Sequence, residues 1–481
     1  MQPELAISIV SLGLTVAAMI GSAVHVILTK RDIRSAIGWI GLIGFAPLLG
    51  IVLYWSFGIN RIQRKAKTLF ADLEPVELPE EHGSIGPEAL VRLAGPAWQE
   101  LGQLARLTEQ VTVNPLMSGN RIHPLQNGDQ AYPAMLMAIE QAEESISLMT
   151  YIFDNDAWGQ RFRQKLAEAR QRGVQVRLLI DDIGARYGFP SIIQGLRRDG
   201  LTVARFMQSM KPWRFRYSNL RNHRKIMVVD GRIGFTGGMN IRGGCVLQDN
   251  PAHPIRDLHF RFHGPVVAEL QRAFAEDWKF TTGEELTGQA WFPTLNGRGS
   301  AVARAISDGP DDDYDKLRTV LLGALSCAKR SVRIASPYFL PDQELSFGLR
   351  VAALKGVQVE IFQPEHNNLR MVQWASRGCY EELLNGGCTI WLTPPPFDHS
   401  KLLIVDDMWV LVGSANWDPR SLQLNFEFNV EIYDTGLAAS VNGFLNQRRA
   451  AARKLGLEEM RARAMPQKLR DNLFRLASPY L

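Results

Sequence analysis

The chain has 481 residues, enough for two or three domains that each bury a core. Its hydrophobic content of 46% is ordinary for a globular protein, so any membrane signal must be local. A net charge of +5 suits nucleic acid or an anionic membrane surface, and the four cysteines (Cys245, Cys327, Cys379, Cys388) form neither a metal-ligand spacing nor a clear disulfide framework, in keeping with a reducing compartment.

Two apolar stretches open the chain. Leu5–Leu28 and Ile37–Phe57 each lack Asp, Glu, Lys and Arg, and each is long enough as a helix to cross a hydrocarbon core of about 30 Å. Pro47 lies inside the second, which a membrane helix tolerates. Trp39, Tyr54 and Trp55 sit near its ends, where aromatic rings anchor. The first stretch lacks the basic head of a secretory signal, and a second apolar stretch follows closely. The expectation is a two-span hairpin over 1–60, with the remainder on the same side as the N-terminus. Lys30, Arg31 and Arg34 occupy the hairpin loop, whereas Arg61, Arg64, Lys65 and Lys67 follow the second span. That balance leans towards a cytoplasmic catalytic region on a multi-pass protein of the cell (inner) membrane. Two spans also favour anionic membrane lipids over nucleic acid as the partner.

Residues 61–115 read as a juxtamembrane connector with helical stretches, among them 95–110. From 116 the pattern alternates: a helix over 132–144, a strand over 145–153, a helix over 159–173 and a strand over 174–182. Alternation of this kind implies an α/β layer fold. A second series in the same order begins near 316, with helices over 316–330 and 344–356 and strands over 331–339 and 357–364. The chain therefore duplicates a unit of roughly 170 residues, which suits two paired domains rather than a solenoid. We place these at 116–293 and 294–455, joined near "TLNGRG" and "SDGPDDDYD". Within the first, "KPWRFRYSNLR" (211–221) alternates basic and aromatic residues. It fits an ordinary solvated loop and equally a surface that meets phosphate headgroups. Residues 456–481 end in "LRDNLFRLASPYL", an amphipathic helix that suits either the membrane surface or the catalytic domain.

The two series share one motif. "NHRKIMVVDG" (222–231) and "DHSKLLIVDD" (398–407) place His223, Lys225 and Asp230 at the spacing of His399, Lys401 and Asp406. Alternate residues of a strand share a face, so each histidine projects with its lysine. Asp230 and Asp406 complete the catalytic sets, although their Asp-Gly and Asp-Asp positions also suit turns that hold a hairpin. Small-residue loops follow, "TGGMN" (236–240) and "VGSAN" (412–416), each opening an expected helix whose amides form an anion site. Asn240 and Asn416, both 17 residues beyond their histidines, add side-chain donors. Two imidazoles, two ammonium groups and two phosphate-sized cradles suit attack on a phosphodiester. One histidine is nucleophile and the other acid then base, while the lysines hold the phosphorus oxygens. No metal or other cofactor is expected, because the lysines supply the positive charge.

This duplicated motif resembles that of the phospholipase D superfamily, and nearly the whole chain is similar to bacterial cardiolipin synthases of the two-span type. The segments that carry the resemblance are "NLRNHRK" (219–225), "RDLHFRFHGPVV" (256–267), "GSANWDPRSLQLNFEFNVEIYD" (413–434) and "LRDNLFRLASPYL" (469–481), besides the N-terminal hairpin. "DPRSLQLNFE" is the most specific of them. The resemblance implies a fold of two duplicated phospholipase D-like α/β domains, mixed sheets flanked by helices, behind a transmembrane helical hairpin. It implies that two phosphatidylglycerol molecules yield cardiolipin and glycerol through a phosphatidyl-histidine, with His223 as nucleophile. It further implies that an acidic residue after each motif orients the histidine, here Asp257 and Glu427. Hydrolysis by water, as in a phospholipase D, is the alternative. The chain departs from the common pattern where Gly238 stands against Ser414, so any hydroxyl contact to phosphate there is one-sided. In "TPPPFD" (393–398), Asp398 either alters the pKa of its neighbour or faces solvent.

Overall fold

The computed structural model describes residues 3–30, 32–58, 83–208, 220–309 and 315–478. The chain divides into two compact units, Met1–Leu69 and Phe70–Leu481.

In the first unit, α1 (Pro3–Thr29) contains the stretch Ser8–Thr29, which is long and apolar enough to cross a membrane. The second apolar stretch, expected as one helix, is broken. Helix α2 (Ile33–Phe45) stops at Ala46, α3 (Pro47–Leu53) follows, and a wider turn covers Tyr54–Gly58. Proline lacks an N–H and its ring drives the preceding residue out of the helical region. Ala46 accordingly sits at φ −136°, ψ 73°. Gly50 makes the bend possible, since a Cβ there would lie 2.5 Å from the Leu42 carbonyl oxygen. At about 1.5 Å per residue neither piece alone reaches across a core of about 30 Å. Val26 of α1 packs with Ile43 and Tyr54, the Tyr54 hydroxyl lies 2.6 Å from His25 Nδ1, and Trp55 Nε1 donates to Ser22 Oγ at 2.9 Å.

The second unit begins with α4 (Pro87–Ala94) and α5 (Gln99–Val111). The first half then contains β1 (Met117–Gln126), α6 (Asn127–Glu140), β2 (Ser145–Thr150), α7 (Ala157–Gln171), β3 (Gln175–Asp181), α8 (Ile192–Arg198) and β4 (Thr202–Phe206). It continues with β5 (Arg221–Asn222), β6 (Ile226–Val229), β7 (Ile233–Gly237), β8 (Ile255–Arg256), β9 (Leu258–His263) and α9 (Val267–Thr282). The second half repeats the plan in β10 (Ala301–Asp308), α10 (Lys316–Cys327), β11 (Ser331–Ala335), α11 (Gln343–Leu354), β12 (Gln358–Pro364), α12 (Arg370–Asn385) and β13 (Thr389–Thr393). After β14 (Phe397–Asp398), β15 (Leu402–Val405) and β16 (Trp409–Gly413) come α13 (Pro419–Gln423), β17 (Asn425–Tyr433) and α14 (Thr435–Ala451). β18 (Arg453–Lys454), α15 (Leu457–Arg461) and α16 (Met465–Leu476) end the described chain.

One mixed sheet runs through both halves. From one edge the order is β4-β3-β2-β6-β7-β9-β1, and it continues as β10-β17-β16-β15-β11-β12-β13-β18. Up to β13 the second series mirrors the first strand for strand, which is the duplication read from the sequence. The parallel trio β2, β3 and β4 is buried by α6, α7 and α8, and β2 is buried at all six positions. Continuous apolar runs suit strands covered on both faces. One contact departs from the expected plan, and a second decides between two open readings. Helices α4 and α5, within the stretch read as a connector, supply Leu90, Leu101, Leu104 and Ala105 to the core of the second half rather than the first. Helix α16 lies on α12 through Phe474, whose ring is 5.0 Å from Trp374, while Leu469, Leu473 and Leu476 remain exposed.

β10 and β17 pair in antiparallel register, with Arg304 opposite Glu431. Both side chains are buried; Arg304 Nε donates to Glu431 at 2.7 Å, and Trp409 Nε1 and the Tyr433 hydroxyl donate to the other carboxylate oxygen. Removing one partner strands a charge. Arg304→Met should lower unfolding stability by about 3–5 kcal/mol, and adding Glu431→Leu should recover part of that loss. Chemical denaturation of the full chain in detergent would measure both.

Candidate active site

The motif segments cross between the halves. β5 pairs in parallel with β17, and His223 N donates to the Phe426 carbonyl at 2.9 Å. β14 likewise pairs with β8, and His399 N donates to the Arg256 carbonyl at 2.7 Å. Each histidine is therefore fastened by its backbone to the half that did not supply it. The expected strand face is modified accordingly: residues 223–225 and 399–401 are links between strands, and the regular strands start at Ile226 and Leu402. Each lysine folds back over its link. Lys225 Nζ donates to the His223 carbonyl at 2.5 Å and Lys401 Nζ to that of His399 at 2.6 Å.

The side chains cross as well. His223 Nδ1 lies 3.0 and 3.1 Å from the Glu427 carboxylate oxygens, and His399 Nδ1 lies 2.9 Å from Asp257 Oδ2. Both acids are fully buried, whereas the histidines are 12% and 14% exposed. Glu427 also accepts from the Ser414 hydroxyl and, at 3.1 Å, from Asn425 Nδ2. Asp257 accepts from Leu258 N at 2.8 Å. The difference between Gly238 and Ser414 has a steric reason: a Cβ at 238 would stand 2.6 Å from Asp257 Oδ1. The Ser414 hydroxyl thus serves a carboxylate rather than projecting as a free phosphate donor.

Asp230 and Asp406 are not brought to the histidines. Both have positive φ (51° and 55°), which Asp tolerates better than most residues. Asp230 accepts from the amides of Glu143, Glu144 and Ser145, and Asp406 from those of Lys329, Arg330 and Ser331. They pin the β6–β7 and β15–β16 turns to the starts of β2 and β11. The loops after β7 and β16 do not open helices of useful length. A single 3-10 turn (Gly243–Cys245) and the five-residue α13 follow them. Their leading amides are already capped, Gly243 N by Asp156 at 2.5 Å and Ser421 N by Asp418 at 2.9 Å. The expected helix-end cradle is therefore absent among the described residues. Asn240 and Asn416 do reach the site; Asn240 Oδ1 accepts from Ile152 N and Asn416 Nδ2 donates to Ser421 Oγ. Asp398 is buried and paired with Arg448 Nε at 2.6 Å, so it does not face solvent. Of 211–221, only Leu220 and Arg221 lie within the described residues.

His223, His399, Asn240, Asn416 and Asp257 line one cavity of about 390 Å³. Arg221, Arg242 and Arg420 line it too; Arg221 closes the basic and aromatic segment 211–221, and the sequence reading singled out neither of the others. Two of the three stand inside quoted segments, "NLRNHRK" and "DPRSLQ", yet no spacing distinguishes a cavity arginine from a surface one. Arg242 is held by Asp154 at 3.1 Å. Tyr338, Leu340, Leu369 and Phe397 supply an apolar wall, and the Tyr151 ring stands 5.1 Å from that of His223.

Burial dominates the electrostatics. It pushes Lys225 down to about 7 and Lys401 to about 8, with the two ammonium groups repelling each other and the acids opposing. His399 is pushed down to about 4 by burial and then by Lys401, whose Nζ lies 3.0 Å from both ring nitrogens. His223 is also lowered, by burial against the pull of Glu427. Burial raises Asp257 and Glu427, but their histidines and lysines outweigh it and hold both below the ordinary carboxylate range. The site thus holds two anionic acids, two neutral imidazoles and two ammonium groups whose charge is poised near neutral pH.

Residues 135–278 and 321–448 match the family described as "Cardiolipin synthase, PLD-like domain". The chain belongs to that family. Residues 17–58 match a second description, "Phospholipase D-nuclease N-terminal". Among relatives, a cardiolipin synthase of Geobacillus kaustophilus is 33% identical over 463 residues, covering 95% of this chain and 91% of the relative. A cardiolipin synthase A of Pseudomonas fluorescens is 33% identical over 469 residues, covering 96% and 95%. Among solved structures, a phosphatidylserine synthase of Haemophilus influenzae superposes with a TM-score of 0.59 at 16% identity, covering 79% of this chain and all of that one. That likeness establishes a shared fold.

The depressed lysines set a pH dependence. A lysine holds an anion only while it is an ammonium, and that charge is lost as pH rises through its folded pKa. The alkaline limb of kcat/KM, which reports the free enzyme, should therefore fall at an apparent pKa between about 7 and 8. A limb near the ordinary lysine value would show that burial does not depress the pair.

Proposed function

We propose that the chain transfers a phosphatidyl group between two phosphatidylglycerol molecules, giving cardiolipin and glycerol. The observation that carries this is a single cavity lined by two imidazoles, each with its Nδ1 on a buried carboxylate of the opposite half. A carboxylate on Nδ1 fixes the tautomer and leaves Nε2 to react. Lys401 Nζ lies over the His399 ring, 3.0 Å from both of its nitrogens, whereas no ammonium contact of that kind to the His223 ring is found among the described residues. That asymmetry favours His223 as nucleophile and His399 as the proton carrier.

In the first step His223 Nε2 attacks phosphorus and the bond from phosphorus to the glycerol oxygen breaks. His399, protonated, gives its proton to that oxygen, and glycerol leaves. The anionic phosphate raises the proton affinity of both imidazoles on binding, offsetting the lowering described above. In the second step the terminal hydroxyl of another phosphatidylglycerol attacks phosphorus, its proton passes to His399, and the phosphorus–nitrogen bond breaks. Lys225 and Lys401 bear the charge on the phosphorus oxygens throughout. One ester replaces another, so the reaction consumes no nucleotide and needs no metal in this scheme. Asn240 and Asn416 face the same phosphate. Arg221 and Arg420 offer charge for the phosphate of the acceptor lipid, and the apolar wall suits acyl chains. These features favour a lipid acceptor over water. A hydrolase of the phospholipase D type remains the competing reading, since nothing in two imidazoles excludes water.

The assay uses the full chain in detergent with phosphatidylglycerol alone, chelator present and nucleotide absent. Cardiolipin appearing one for one with glycerol is expected. His223→Ala should abolish both products; cardiolipin formed by that variant would overturn the scheme, and phosphatidic acid from the native chain would make the enzyme a hydrolase.

We further propose that the N-terminal unit crosses the cell membrane twice, with Ile33–Gly58 crossing as a bent pair and the catalytic unit on the cytoplasmic face. The exposed apolar side chains of Ile33, Ile37, Phe45, Leu48, Leu49 and Val52 support this. The native cysteines are buried or half-buried. Asp32→Cys should therefore be labelled by an impermeant thiol reagent from outside intact cells; labelling from the cytoplasmic side alone would reverse the orientation.

A further inference from the structure

A second concentration of positive charge lies away from the catalytic cavity. β1 and β9 pair in antiparallel register, with Arg121 opposite His263 and His123 opposite Arg261. Alternate residues of a strand share a face, so these four form a two-by-two block on one side of the sheet. Arg232, just before β7, and Arg298, in the loop leading to β10, border the same concavity of about 420 Å³.

Nothing in the block balances this charge. No ion pair engages Arg121, Arg232, Arg261 or Arg298 among the described residues, and Arg261 Nε is buried without a hydrogen-bond partner. Burial pushes His263 down to about 4, reinforced by Arg261, His123, Arg121 and Arg298 in turn. His123 is lowered by burial, Arg261 and Arg121. The neighbours acting on both imidazoles are all basic. An ordinary solvated basic face interleaves acidic residues, and none is among the described residues that line this concavity. Here a concave surface presents four guanidinium forks and two imidazoles, which suits an anion with several oxygens in a small volume. The strand separates it from the reaction: His263 is six residues beyond Asp257, about 20 Å along an extended chain.

We propose that this block is a second anion site, distinct from the catalytic cavity, which binds a phosphate group. The phosphate comes either from the headgroup of an anionic lipid or from free phosphate. The test titrates inorganic phosphate into the full chain in a zwitterionic detergent and follows heat. The native chain should show two classes of phosphate site. Arg121→Gln with Arg261→Gln should lose one of them while cardiolipin formation from phosphatidylglycerol persists. Arg298→Gln, a change at an exposed loop residue that spares the sheet, should weaken the same site about tenfold. Doping the micelles with phosphatidylglycerol distinguishes the sources. Displacement of phosphate from the second site identifies a lipid headgroup, and phosphate held undisturbed identifies free phosphate. Phosphate binding that neither Arg298→Gln nor the Arg121→Gln, Arg261→Gln double variant weakens would overturn the proposal.

Discussion

The catalytic unit depends on two crossed hydrogen bonds, His223 to Glu427 and His399 to Asp257. Each brings a buried carboxylate of one half against an imidazole of the other. An isolated carboxylate in such a place would take up a proton rather than stay charged. Its partner histidine and the nearby lysines keep it anionic, and the carboxylate in turn fixes which ring nitrogen is free. The short strand pairs β5–β17 and β14–β8 supply the backbone half of the same arrangement. Neither half holds a complete set of these partners, so the duplication supplies complementary pieces of one site rather than two sites.

The near-symmetry is broken in ways that chemistry can use. Glu427 reaches further than Asp257 and is held by Ser414 and Asn425, where the shorter acid meets Gly238 and its own neighbouring amide. Lys401 lies over the ring of His399, but Lys225 makes no such contact with His223 and instead stands 5.6 Å from the centre of the Tyr151 ring. Two histidines that arose from one repeat therefore meet different fields. The double displacement proposed above would use that difference, one imidazole forming a bond to phosphorus while the other carries a proton.

Much of this was legible in the sequence. The duplicated α/β order and the paired His-x-Lys segments follow from periodicity and spacing, because local pattern determines local structure. Asp230 and Asp406 were read as catalytic and also, from their Asp-Gly and Asp-Asp setting, as turn residues, and the turn is where they stand. Asp257 became visible only through resemblance to a family, since a carboxylate at a strand end looks solvated until its long-range partner is known. The crossing of acids between halves has no sequence signal at all. The helices expected after the two small-residue loops are instead a single 3-10 turn and the five-residue α13, and Asp156 and Asp418 already satisfy their leading amides. Pro47 was read as tolerated within a helix, but with Gly50 available to let the chain fold back, the bend won. Arg242 and Arg420 were missed because long-range placement, not spacing, brings an arginine to the cavity.

The placement of α5 bears on how the chain comes into being. Its apolar face belongs to the core of the second half, yet it is synthesised before any strand of the first. On a ribosome the first half can close its sheet as it emerges, while α5 must wait with Leu101, Leu104 and Ala105 uncovered until α10 is made. A waiting amphipathic helix is a hazard in bulk water and tends to recruit another surface. The order of synthesis and the order of packing therefore differ, and the second half closes its core around a helix made before the first half began.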